Sequence, residues 1–307
     1  MASYTIQRLI LLIPTLFFVA LITFVLARAA PGSPFDRNQD RPLPQATIDR
    51  LNRVYGLDKP MHEQFVLFLG NAVRFEFGSS LVRDRSVADI VKGQFPVSAQ
   101  LGLQALVLAL AVALPLGVIS ALRHNTAVDY GSLLFATVGT TIPSFVLAIF
   151  AIYIFAVNLH LVPVFGWGTL EKMILPTVIL SLGPMAFLTR ITRASMLEAI
   201  RQDYVRTARA KGLREQTVIV GHAMKNAMIP VATVLGPFTA FLITGSFLIE
   251  TVFSVPGLGR EFVRSIGSRD YPVIMGVFLL FAFIIAIANL TVDLVYGLLD
   301  PRIKVGK

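Results

Sequence analysis

The chain has 307 residues, 55% of them hydrophobic and 15% charged, with a formal charge of +9 at neutral pH. A soluble domain carries about a quarter charged residues, so this is the composition of a membrane protein. Nucleic acid is excluded as the reason for the positive charge. The basic residues flank apolar runs, where anionic lipid head groups and membrane orientation account for them.

Arg8 and Arg28 bracket nineteen uncharged residues, Leu9 to Ala27. That is long enough to cross a bilayer core of about 30 Å and longer than a signal-peptide apolar core, so it predicts an uncleaved first span. Residues 31–95 are the longest polar region and open with Pro31, Pro34, Pro42 and Pro44 as an extended linker. Two short amphipathic helices are expected there, one around Ile48, Leu51 and Val54, the other around Phe65, Phe68, Leu69 and Val73. Ser86 with Asp89 resembles a capping box before a third helix. The region is too short for a sizeable core of its own and is expected to pack on the spans.

Five more uncharged stretches follow. Thirty residues lie between Lys92 and Arg123, forty-one between Asp129 and Glu171, and seventeen between Lys172 and Arg190. Twenty-four lie between Lys225 and Glu250, and twenty-two between Asp270 and Asp293. The second of these predicts one span to about Asn158, then an interfacial segment with Pro163 and Trp167. Six spans place both termini on one side. Thirteen Lys and Arg residues of the connections and termini lie on that side, against Lys172, Arg260, Arg264 and Arg269 in the short opposite loops. The thirteen-residue side is therefore expected to be cytoplasmic, with 31–95 outside.

One charged stretch, Met196–Pro230, separates two apolar ones. Leu197, Ile200, Tyr204 and Ala208 recur at helical spacing and are expected on one face. Gly212 follows Lys211 as a helix stop, and Val218, Ile219, Ala223, Met224 and Ala227 begin a second amphipathic piece. As a bare pattern this also suits a positively charged loop with no partner.

Polar groups inside spans are few. Asn289 and Asp293 lie one turn apart near the end of the sixth and are expected to make intramembrane polar contacts. Pro115, Pro143, Pro176, Pro184 and Pro237 read as ordinary packing kinks. With no cysteine, and with His62, His124, His160 and His222 scattered, no metal site is expected. No Gly-x4-Gly-Lys-Ser/Thr loop is present, and the only Gly-Lys is Gly306-Lys307, so no nucleotide site is expected in this chain. An ion-coupled transporter working alone would show an internal repeat and midplane ionisable groups, which spans one to five lack.

The run Asp203-Tyr204-Val205-Arg206-Thr207-Ala208-Arg209-Ala210-Lys211-Gly212 resembles the cytoplasmic coupling motif of peptide-type ABC importer permeases. Arg190-Ile191-Thr192-Arg193-Ala194-Ser195-Met196 and His222 to Pro230 are similar to the same family. So are Ala30 to Pro34, Glu250-Thr251-Val252-Phe253 with Pro256-Gly257-Leu258-Gly259, Arg269-Asp270-Tyr271 and Asp300-Pro301-Arg302-Ile303. The matches run in order over nearly the whole chain and most resemble the first of the two oligopeptide permease subunits. Arg206-Thr207-Ala208 stands where the broader ABC importer motif has Glu-Ala-Ala, a departure typical of the peptide branch.

The resemblance implies an all-α polytopic protein of the bacterial inner membrane. Its parts are an N-terminus and first span (1–30), an external subdomain (31–95) and a five-helix core (96–307) with coupling loop 196–230. It implies no enzymatic activity in this chain, with ATP used by two partner ATP-binding subunits. A second homologous permease and an external solute-binding protein complete the expected assembly, and membrane lipid surrounds it. Tyr204, Arg206, Thr207, Ala208, Arg209, Ala210, Lys211 and Gly212 are the expected contact with the ATP-binding subunit. The small residues among them suit close backbone approach, and the arginines suit acidic groups or lipid phosphates. The implied cargo is peptide, with glutathione and nickel as the alternatives carried by the same branch.

Overall fold

A computed structural model describes residues 2–29, 44, 46, 49–50, 53, 56–83 and 85–299, with side-chain surroundings described between 6 and 291. The expected helix around Ile48, Leu51 and Val54, the Ala30–Pro34 and Asp300–Ile303 segments and the Asp293 side chain lie outside the described residues. In chain order come α1 (Ala2–Ala29), α2 (Met61–Val73), α3 (Val87–Leu122) and α4 (Ala127–Thr141). Then follow α5 (Ser144–Ala151), continued by a π-helical turn over Ile152–Asn158, α6 (Leu170–Ile200) and α7 (Asp203–Ala210). A turn at Glu215–Thr217 and a π-helical stretch, Val218–Met224, lead into α8 (Lys225–Ile243). The chain closes with α9 (Phe247–Val252), α10 (Leu258–Ser268) and α11 (Tyr271–Leu299).

Among the described residues five helices are long and apolar enough to cross a membrane, and α4 with α5 makes a sixth crossing only as a bent pair. The chain is thus a multi-pass membrane protein. The third span expected from the uncharged run, reaching about Asn158, corresponds to this bent pair. The helix breaks at Ile142–Pro143, and its two halves diverge by 103°. Pro143, read from the sequence as a packing kink, sits at the N-cap of α5 instead. It removes one backbone donor and disfavours helix at Ile142, whose ψ is 125°.

The core forms along α6, which α3, α4, α5 and α8 surround. Leu101, Ala105, Ala109, Ala113, Gly117 and Ala121 recur every four residues along α3, and all are buried. Five of the six are alanine or glycine, which lets the axes of α3 and its neighbours approach closely where lipid offers no hydrophobic drive between helices. A Cβ at Gly117 would overlap Thr192 of α6. Leu101, Ile179, Leu242 and Phe253 fill one end of this core, and Ala113, Leu188 and Val231 the middle. Outward positions carry large apolar residues, Ile10, Ile13 and Phe150 among them, as lipid-facing surfaces require.

The described residues 56–83, before α3, dock on the spans as expected. Phe65 and Phe68 of α2 pack on Phe24 of α1, with ring centroids 5.3 and 6.1 Å apart. Ser86 caps α3: its Oγ accepts the Asp89 amide at 3.0 Å and donates to the Asp89 carboxylate at 2.6 Å. Two buried acids complete the docking. Glu261 accepts from Arg83 at 2.6 Å and from Gln94 at 3.0 Å, and Asp270 accepts from the Ser80 hydroxyl and the Leu81 amide.

Candidate functional site

α6 is 31 residues, about 46 Å, so it is longer than a bilayer core is thick. It stops at Ile200, and α7 starts anew at Asp203 after an extended Gln202. The expected face of Leu197, Ile200, Tyr204 and Ala208 is therefore corrected. The break resets the helical phase, Tyr204 turns outward at 37% exposure, and Val205 takes the buried position with Ala208. Those two side chains pack on Ala121 of α3, on Met196 and Ala199 of α6, and on Val218, Ile219 and Ala223 of the π-helical stretch. α7 is thus held against several helices by one narrow apolar stripe.

Around that stripe Tyr204, Arg206, Thr207, Arg209, Ala210, Lys211 and Gly212 are exposed, while Ala208 is sealed inside its own chain. Ala208 allows α7 to approach its own spans closely and presents nothing to a partner. Gly212 ends the helix at φ +75°, a conformation that strains other L-residues, and a Cβ there would meet no atom within 4 Å. Arg209 turns back on its own chain, donating to Glu215 at 3.1 and 2.7 Å, and this raises the guanidinium above its ordinary pKa. Arg206 lies 3.6 Å from Asp203, an exposed pair that holds it only weakly.

Immediately above this end, Asp129 at the start of α4 is 1% exposed and gathers four donors. Arg193 of α6 reaches it at 2.5 and 2.8 Å, the Ser120 hydroxyl of α3 at 2.6 Å and the Asn125 amide at 2.9 Å. One turn along α6, Arg190 donates to Thr140 near the break at 2.8 Å. Sequence reading passed over Asp129 because it marks a span boundary like any other acid. Its side-chain partners sit 9 and 64 residues away.

A cavity of about 820 Å3 opens between α1, α6, α8 and α11. Its walls are mostly apolar, with Thr244, Gly245 and Ser246 at one end and Asn289 with Arg8 toward the other. Asn289 is exposed and lines this cavity rather than a helix–helix seam.

A family model, the binding-protein-dependent transport system inner membrane component, matches residues 113–305, well over half of the chain. The chain belongs to that family. Curated relatives agree over full length. The dipeptide transport system permease protein DppB of Bacillus subtilis (strain 168) is 46% identical, covering 100% of this chain and 99% of its own. The oligopeptide transport system permease protein OppB of Escherichia coli (strain K12) is 41% identical, covering 99% of this chain and all of its own. A solved amino acid ABC transporter shares the fold at TM-score 0.50 and 16% identity, covering 70% of this chain and 95% of that one. This inner-membrane component therefore carries the charged α7 segment, the Asp129 cluster, the broken helix and the cavity within or beside its family-defining region.

Proposed function

We propose that the chain is the permease subunit through which an ATP-driven importer passes peptides delivered by an external binding protein. Both termini and 196–230 face the cytoplasm, and 31–95 faces outward, which the Lys and Arg distribution supports. The observation that carries the reading is α7. It is a short helix beyond the spans, fastened by Val205 and Ala208 and polar on every other side. In this reading it docks in a groove of an ATP-binding subunit through Tyr204, Arg206, Thr207, Ala210 and Lys211. A second homologous permease pairs with this one and closes the cavity, which a single copy leaves open. Two ATP-binding subunits supply the energy, since this chain has no phosphate-cradling loop.

The geometry transmits movement economically. α7 rests on the C-terminal end of α6, and α6 grips α4 at Arg193–Asp129 and Arg190–Thr140. A shift of α7 on nucleotide binding therefore moves α6 and α4 together toward the break at Pro143. Peptide cargo rests on the names of the full-length relatives. The test is uptake by proteoliposomes holding the complete complex. ATP-dependent accumulation of a labelled dipeptide is expected. Accumulation of nickel or glutathione alone would replace the cargo, and uptake driven by an ion gradient without ATP would overturn the mechanism.

A further inference from the structure

The Glu250-Thr251-Val252-Phe253 and Pro256-Gly257-Leu258-Gly259 segments have no part in the coupling account, yet they build a fully buried polar cage. Glu250 of α9 is fully buried. Its Oε1 accepts the Ser98 hydroxyl of α3 at 2.8 Å, and its Oε2 accepts the Arg260 amide in the first turn of α10 at 3.1 Å. Ser98 Oγ in turn accepts the Leu258 amide at 2.8 Å, so its own proton is committed to Glu250. The carboxylate and Ser98 together satisfy N-terminal amides of α10 that would otherwise be orphaned. A Cβ at Gly245 or Gly257 would overlap the carboxylate, which explains the glycines flanking it in space. Arg260 closes the turn by donating to the Ser254 carbonyl at 2.9 Å. Thr244, Gly245 and Ser246, which adjoin this cage, form one end of the large cavity.

We propose that Glu250 is the positioning residue of the cavity's outer mouth. It pins the end of α8, the short helix α9 and the start of α10 to α3, so that the mouth keeps one shape while the opposite end moves. This rests on the reading of the cavity as part of the translocation path. The neighbouring groups all donate to Glu250, so only a side chain that accepts on both oxygens fits. Glu250→Gln would turn an amide against a donor and leave one buried hydrogen bond unmade.

The chain has no cysteine, so Leu248→Cys, an exposed position on the cavity wall, serves as the single reporter in this subunit, read on its own band within the complete transporter. Labelling by an impermeant thiol reagent from outside and uptake per assembled complex are measured together. Glu250→Gln should raise the labelling rate about tenfold and lower uptake about tenfold, the scale of one unpaired buried donor. Ser98→Ala should act in the same direction, Glu250→Asp should recover part of both effects, and subunit stoichiometry should hold in all three. Unchanged labelling and uptake in Glu250→Gln would overturn the proposal. So would uptake falling only in proportion to lost permease in both Glu250→Gln and Ser98→Ala, because that is the signature of a purely folding role. If peptide-loaded binding protein leaves Leu248→Cys labelling unaltered in the otherwise native complex, the cavity reading itself falls, and the outer-mouth role falls with it.

Discussion

Arg193 holds Asp129 through two parallel hydrogen bonds of 2.5 and 2.8 Å, joining α6 to α4 directly above the α7 end of the protein. Ser120 and Asn125 occupy the remaining acceptor sites, so the carboxylate is fully satisfied although it is buried. Removing one partner from such a pair is far costlier than replacing both, because the survivor keeps its desolvation cost.

Asp129→Ala should therefore destabilise the permease by about 3 kcal/mol, at the low end for a buried pair because Arg193 retains 17% side-chain exposure. Arg193→Lys should cost less, about 1–2 kcal/mol, since it keeps the charge and loses the planar fork. Thermal unfolding in detergent checks both. A loss in Arg193→Lys equal to that in Asp129→Ala would show that the two-pronged geometry carries the whole interaction, and no loss in Arg193→Lys would show that charge alone suffices.

The seat of α7 gives a second expectation. Ala208 is 4% exposed among Ala121, Met196 and Val218, so Ala208→Leu overfills a packed contact at about 1–3 kcal/mol. Thr207→Leu, one residue earlier on the exposed side, should leave stability within about 0.5 kcal/mol. Limited proteolysis between 201 and 214 measures the difference. Equal protection in both variants would mean that α7 is not held by its apolar stripe.

At Gly212 the backbone, not space, is limiting. Gly212→Val should abolish most uptake and substrate-stimulated ATP hydrolysis while the two permeases still assemble, because φ +75° strains a β-branched residue by about 1–3 kcal/mol. Gly212→Asn, which enters the left-handed region readily, should keep most activity. If Val and Asn behave alike, bulk at the partner surface governs the position and helix termination does not.

Topology has its own check. A periplasm-active phosphatase fused at Gln45 should be active and one fused at Arg214 inactive, as the Lys and Arg distribution requires. The reverse pattern would place α7 outside and end its coupling role.

Why some of this was legible and some not follows from where the signals lie. Apolar runs bounded by charges declared α1, α3, α6, α8 and α11, because a bilayer leaves no other way to satisfy twenty consecutive backbones. Gly212 was legible because its chemistry is local. The break at Arg201–Gln202 was not, since Leu197 to Tyr204 contains neither Gly nor Pro and reads as continuous helix. The bend at Pro143 hid inside an uninterrupted apolar run, where proline is equally compatible with a kink. Glu250 appeared as a span boundary and as part of a family-like segment, but its burial was not legible, because it depends on Ser98, 152 residues away, and no periodicity connects the two.

The most direct test of α7 as the coupling element is site-specific photocrosslinking from Tyr204, which the fold turns outward, in the assembled complex. An ATP-binding subunit should be captured from Tyr204, with a yield that changes between nucleotide-free and ATP-bound states, and should not be captured from the buried Val205. Capture of lipid alone from Tyr204, with the ATP-binding subunit recovered instead from positions in 61–83, would contradict the account.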